Sequence, residues 1–257
     1  MVQNVFARRG YRVHFDMGNF GFGNALRHQP RLEFHPYVLE EGKRATYERE
    51  NEYFLDLKRQ NFHSARLSIY RYAIFGHERD DHIAGMATTG GNFFVALPRS
   101  LPEVEASVLM HELGHTLDLR HGGGDDVNCK PNYLSIMQYA LGDKDLDPTR
   151  PLDYSRQALA PLDENTLVES AGVGGPANRN VVYGGISGRT VVVPANGPID
   201  WNDNGPINTF PVLADINHVA AYCGLEQDTN GDGVGDAPRF STLTSFNDWE
   251  RLQFNVR

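Results

Sequence analysis

His111-Glu112-Leu113-Gly114-His115 places two imidazoles four residues apart, with a carboxylate next to the first. In a helix, four residues turn the chain by about 400°, so His111 and His115 lie one turn apart on one face. Two imidazoles so placed can reach a single ion, as tetrahedral zinc requires. Glu112 projects about 100° round from His111. It therefore stands beside such an ion rather than on it, where a base must be to take a proton from an activated water. With ten His and fourteen Glu in 257 residues, a chance His-Glu-x-x-His arises roughly 0.02 times. A fortuitous surface helix is therefore a poor account of the pattern. His121 follows six residues after His115, and three glycines come at once after it. Three protein ligands with a fourth position open is the catalytic arrangement of zinc.

These residues need elements to hold them. Ser100-Leu-Pro-Glu103 reads as a capping box with proline in the first turn, opening a helix predicted to run to about Leu119. Upstream, Tyr11–Asp16 alternates apolar and polar residues and predicts a strand. The glycines of 18–23 read as a plain loop, since no helix pattern follows them. Ala45–Phe62 carries Tyr47, Phe54 and Leu57 at helical spacing. Arg66–Phe75 and Asn92–Leu97 are rich in aromatic and β-branched residues and predict strands. Beyond Gly122 the composition shifts to Gly, Pro, Asp and Asn, with short helical pieces expected at Ser155–Leu162 and Glu164–Ser170. No internal repeat stands out. The glycines at 122–124 mark the expected boundary between subdomains 1–121 and 122–257.

Composition narrows the setting. The formal charge of −9 and pI of about 5.5 argue against a duplex nucleic-acid binder, which would carry a basic face. Mean hydropathy is −0.46, and no run approaches the ~20 apolar residues that span a bilayer. With 40% hydrophobic residues the chain is too apolar to be disordered, so a soluble globular protein is expected. Its 26 glycines and 14 prolines predict long irregular stretches. Residues 1–9 show no basic-then-apolar leader, which fits an intracellular protein or a mature chain whose leader has been removed. On count alone, Cys129 and Cys223 are two buried thiols or one bridge.

His111-Glu112-x-x-His115-x-x-Asp118-x-x-His121 resembles the extended zinc signature of the metzincin metalloendopeptidases. Their methionine-containing tight turn is matched by Ser135-Ile136-Met137-Gln138-Tyr139, and astacins and serralysins carry a tyrosine at the place of Tyr139. The segments 66–72, 84–87, 130–139 and 152–155 are similar to a set of secreted bacterial zinc peptidases. The resemblance covers most of residues 10–175 and is specific around 111–139. It implies an α+β fold: a twisted mixed sheet with two long helices above a cleft, and an irregular C-terminal subdomain. It implies Zn²⁺ on His111, His115 and His121, Glu112 as general base toward a zinc-activated water, and Met137 as a packed, non-ligating residue. Tyr139 would ligate zinc at rest and then stabilise the oxyanion. The strand Gly91–Leu97 would receive an extended peptide or protein substrate at a sheet edge, with residues 140–154 shaping specificity.

Asp118 departs from the pattern, which has glycine there. Aspartate tolerates the positive φ that such a turn needs at a cost of about 1 kcal/mol, so the turn is expected to survive. Should Asp118 prolong the helix instead, His121 would miss the metal. Asp228, Asn230, Asp232 and Asp236 have calcium-loop spacing without the final glutamate, and read as a Ca²⁺ site or an Asx-rich turn. Asp200, Asn202 and Asn204, with Asp215, form a second such loop with the same two readings. His77, Asp80, Asp81 and His82 read as a solvated loop, and His14, His28, His35, His63 and His218 as ordinary residues. The expectation is a secreted, monomeric, zinc-dependent endopeptidase binding neither nucleic acid nor membrane, with a Cys129–Cys223 bridge suited to an oxidising compartment. The alternatives are a calcium-stabilised extracellular binding module on an inactive metalloprotease scaffold, and an intracellular zinc hydrolase of a small substrate.

Overall fold

The computed structural model describes residues 1–16, 52–67, 69–77, 84–88, 91–97, 101–142, 147, 149–219, 223 and 240–254. The chain is mixed α+β with small sheets and few helices, in two compact units, Met1–Leu117 with Gln253–Arg257 and Asp118–Leu252. The change of unit thus falls where the histidine-bearing helix ends, a few residues before the three glycines.

In the first unit, helix α1 (Val2–Ala7) and helix α2 (Glu52–Asn61) accompany strands β1 (Tyr72–Gly76), β2 (Gly85–Thr88) and β3 (Asn92–Ala96). The strand order is β1-β3-β2, with β1 parallel and β2 antiparallel to β3. Strand β3 is buried at every position, which suits the continuous apolar run Phe93–Ala96. Leu57 of α2 joins Tyr72, Ile74, Phe94 and Ala96 in one apolar cluster. Two predicted strands fall short. Tyr11–Asp16 is irregular: the Gln3 amide donates to the Val13 carbonyl, Tyr11 stacks on Phe254, and Asp16 pairs with Arg66 at 2.5 Å. Arg66–Phe75 is strand only from Tyr72. Before it, His63 accepts from the Ala65 N–H and starts a 3₁₀ turn over Ser64–Arg66, leaving Leu67, Ile69 and Tyr70 exposed.

Helix α3 (Pro102–Thr116) carries the first two histidines. Ala106, Met110 and Leu113 repeat at helical spacing on its buried face, and Glu103 and Glu105 in the first turn favour the positive helix end. Its N-cap is Leu101, in extended conformation and without a side-chain cap, so the N-cap is not the expected Ser100 and Glu103 does not stand at the third helical position. Helical conformation is disfavoured for a residue before proline, and Leu101 is extended with ψ 146°. Ser100 lies outside the described residues. The helix also stops three residues before Leu119.

The second unit holds α4 (Tyr139–Gly142), β4 (Leu162–Asp163), β5 (Asn180–Gly184), β6 (Thr190–Pro194), β7 (Thr242–Leu243) and α5 (Asp248–Arg251). Among the described residues, β5–β6 and β4–β7 form the ribbons of this unit, both antiparallel. The helical pieces expected at 155–162 and 164–170 are not helices. Glu164 and Glu169 are fully buried, and their carboxylates take backbone N–H groups from other loops: Ile216 and Ser241 at 2.9 Å for Glu164, Asn208 at 2.6 Å for Glu169. These carboxylates satisfy buried amides that a helix or ladder would otherwise satisfy. Around them lies the apolar core of Val181, Val182, Tyr183, Trp201 and Ile216. Cys129 and Cys223 are disulfide-bonded, with Cα atoms 6.2 Å apart.

Candidate metal centre

Residues 111–121 form one continuous helix end and turn, and they bring three imidazoles together. On α3, the Nε2 atoms of His111 and His115 lie 3.0 Å apart. The helix ends at Thr116 with Leu117 as its C-cap, and Asp118 follows with φ 71°. That left-handed residue turns the chain as a glycine would. Backbone bonds between Arg120 and Gly123, 2.9 Å in both directions, then close a tight hairpin with His121 at its tip, and Gly123 takes φ 84°. Ligand atoms of His111, His115 and His121 all lie within 4.8 Å of one another, the only such group of His, Cys, Asp or Glu among the described residues.

The donor set fits zinc. Two nitrogens about 2.0–2.1 Å from one tetrahedral ion stand about 3.3 Å apart, so these spacings bracket what a shared ion needs. Imidazole nitrogens without carboxylates favour zinc over calcium or magnesium.

Glu112 is only 5% exposed. Burial pushes its carboxyl up to about 8, and a cation on the histidines would act against that rise. Its position depends on Gly85 of β2, which the sequence patterns did not single out as a site residue. A Cβ there would come within 2.7 Å of Glu112 Oε1 and 2.6 Å of Val108 Cγ1. A glycine inside a strand marks close backbone approach, but the sequence patterns predicted no strand over 85–88.

In the second unit, Tyr139 meets His121 edge to face, with ring centroids 4.6 Å apart at 60°, and is 45% exposed. Its backbone N–H donates to Asn128 Oδ1 at 2.9 Å, and the Cys129 N–H donates to the same oxygen. Asn128 thus ties the disulfide to the start of α4, a role with no signal at its spacing of eleven residues. Met137 is fully buried in the turn before Tyr139. Several groups fix that turn. The Ile136 N–H donates to the Asp153 carbonyl, the Met137 N–H to Ser135 Oγ, and the Gln138 amide to the carbonyls of Lys130 and Tyr133. The Ser135 hydroxyl donates to Asp248 at 2.5 Å, and Tyr133 and the Ser155 N–H donate to the same carboxylate.

Gly91–Leu97 is not a sheet edge. Strand β3 is paired on both sides, so its backbone groups are committed, and β2 is the edge strand beside it among the described residues. In the loop 200–205, the Asp200 carboxylate accepts from the N–H groups of Asn204 and Gly205, and Asn202 Oδ1 accepts from Asn204. The loop is closed by its own amides. Asp228, Asn230, Asp232, Asp236, His28, His35, Asp80, Asp81 and His82 lie outside the described residues. His63 caps its 3₁₀ turn and His218 faces Asp215. No helix among the described residues is long and apolar enough to cross a membrane. Compared with protein-family models, curated proteins and solved structures, the chain matches none.

Proposed function

We propose that the chain is a zinc-dependent endopeptidase of metzincin type. The observation that carries this reading is the convergence of His111, His115 and His121 with Glu112 buried on the same helix. When bound there, zinc would supply Lewis acidity, acidifying a water toward a pKa of ~7 and polarising the scissile carbonyl. Glu112 receives the water's proton on its carboxylate and returns it to the leaving amine. The Tyr139 hydroxyl donates to the developing oxyanion, a role supported by its exposure and its edge-to-face contact with His121. The Cys129–Cys223 bridge supports a secreted setting.

Metal content and peptide hydrolysis measured on His121→Ala test the ligand set. The reading expects zinc in the unaltered chain, a marked loss of zinc in the variant, and hydrolysis lost with it. Unchanged zinc and unchanged hydrolysis would overturn the three-histidine site.

A further inference from the structure

In the second unit, the turn after β5, residues 201–202 and residues 213–218 enclose a cavity of about 500 Å³, within the range of small-molecule sites. Ile186 and Leu213 line it and are 60% and 55% exposed. Large apolar side chains left open around a cavity mark a contact surface for an apolar ligand. The titratable groups lining the cavity are Asp215 and His218, with His218 Nδ1 3.8 Å from the Asp215 carboxylate.

Asp215 is held from behind. With the Asn217 amide oriented to donate, its nitrogen lies 3.0 Å from Asp215 Oδ1 and 3.2 Å from Glu164 Oε1. Glu164 is itself fully buried and closed by the Ile216 and Ser241 amides. The indole N–H of Trp201, a wholly buried residue of the cavity wall, has no hydrogen-bond partner among the described residues.

We propose that this cavity binds an ammonium group carried on an apolar body, as at the free N-terminus of an apolar peptide. Asp215 pairs with the ammonium, and Ile186 and Leu213 cover the apolar part. The lining favours a cation over an anion, because it includes the Asp215 carboxylate and neither lysine nor arginine. An organic cation fits better than a metal ion, because a single available carboxylate makes no cage. Burial raises the Asp215 carboxyl above its ordinary range while His218 pulls it down, and an ammonium acts in the same sense as His218.

Calorimetric titration of the zinc-loaded chain at neutral pH with leucinamide, N-acetyl-leucinamide, isoamylamine and calcium chloride tests the site. Leucinamide is expected to bind saturably and N-acetyl-leucinamide at least about tenfold more weakly, the difference a charge-assisted hydrogen bond makes. Asp215→Asn should abolish that preference with the near-ultraviolet circular dichroism unchanged. Leu213→Ser should weaken both amines and keep the preference. Isoamylamine binding as tightly as leucinamide identifies free amines as the ligand class, and weaker binding identifies peptide ends. Equal binding of the free and acetylated amides overturns the proposal. So does leucinamide binding unaffected by Asp215→Asn, absence of saturable amine binding, or calcium uptake that depends on Asp215.

Discussion

Asp118 bears the one conformation on which the third histidine depends. Its φ of 71° is costly for an L-residue by about 1 kcal/mol and free for glycine. Asp118→Gly is expected to keep zinc and raise stability by up to about 1 kcal/mol. Asp118→Val should lower stability by about 1–2 kcal/mol and release zinc more readily. Thermal unfolding with zinc analysis checks both, and a valine variant as stable and as zinc-loaded as the parent would contradict the turn's role. The same local logic governs Glu112. Glu112→Gln should lower kcat/KM by about 10²–10⁴-fold with zinc content unchanged, and undiminished turnover would contradict a proton-transfer role. Gly85→Val should also lower activity at constant zinc, because its side chain must displace Glu112 or Val108. The histidines and Glu112 were legible because ligand spacing is a property of neighbouring residues. Gly85 and Asn128 act across chain separations that no local pattern encodes.

Among the elements, the turn 135–139 is held by a carboxylate from α5. Burial pushes Asp248 from its ordinary 3.8 up to about 6, although Ser135, Tyr133 and the Ser155 N–H donate to it and oppose the rise. The folded chain therefore holds this proton at pH values where the unfolded chain has released it. The contribution is fully present below about pH 4 and is lost as pH rises through about 6, and the rise is worth about 3 kcal/mol. In denaturant titrations, the stability advantage of the parent over Asp248→Asn should shrink by up to that amount between those limits. A difference independent of pH would contradict it. Asp153, Lys130 and Tyr133 face the same carboxylate and are unchanged in the comparison. At this scale the sequence was less informative. The cap of α3 moved because Pro102 disfavours a helical Leu101. The expected helices at 155–170 failed because Glu164 and Glu169 serve distant loop amides, which only the folded chain brings within reach.

Across the molecule, one covalent link spans 94 residues of the second unit. Closing a loop of that length restricts the unfolded chain by about 4–5 kcal/mol in the chain-entropy account. Replacing both Cys129 and Cys223 with serine should lower the unfolding free energy by about that amount, and an unaltered denaturation midpoint would contradict it. The glycine and proline excess correctly anticipated a loop-rich chain. It did not anticipate that buried carboxylates and a disulfide would organise those loops, because composition carries no pairing information. The acidic excess likewise has a structural share: Glu164, Glu169 and Asp248 are fully buried acceptors rather than surface charge. The central claim is that three histidines and Glu112 hydrolyse peptide bonds. Incubating a peptide library with the zinc-loaded chain and with zinc-loaded Glu112→Ala, each with and without chelator, tests it most directly. The account predicts cleavage by the parent alone, abolished by chelator. No cleavage by the parent, or equal cleavage by the variant, would contradict it.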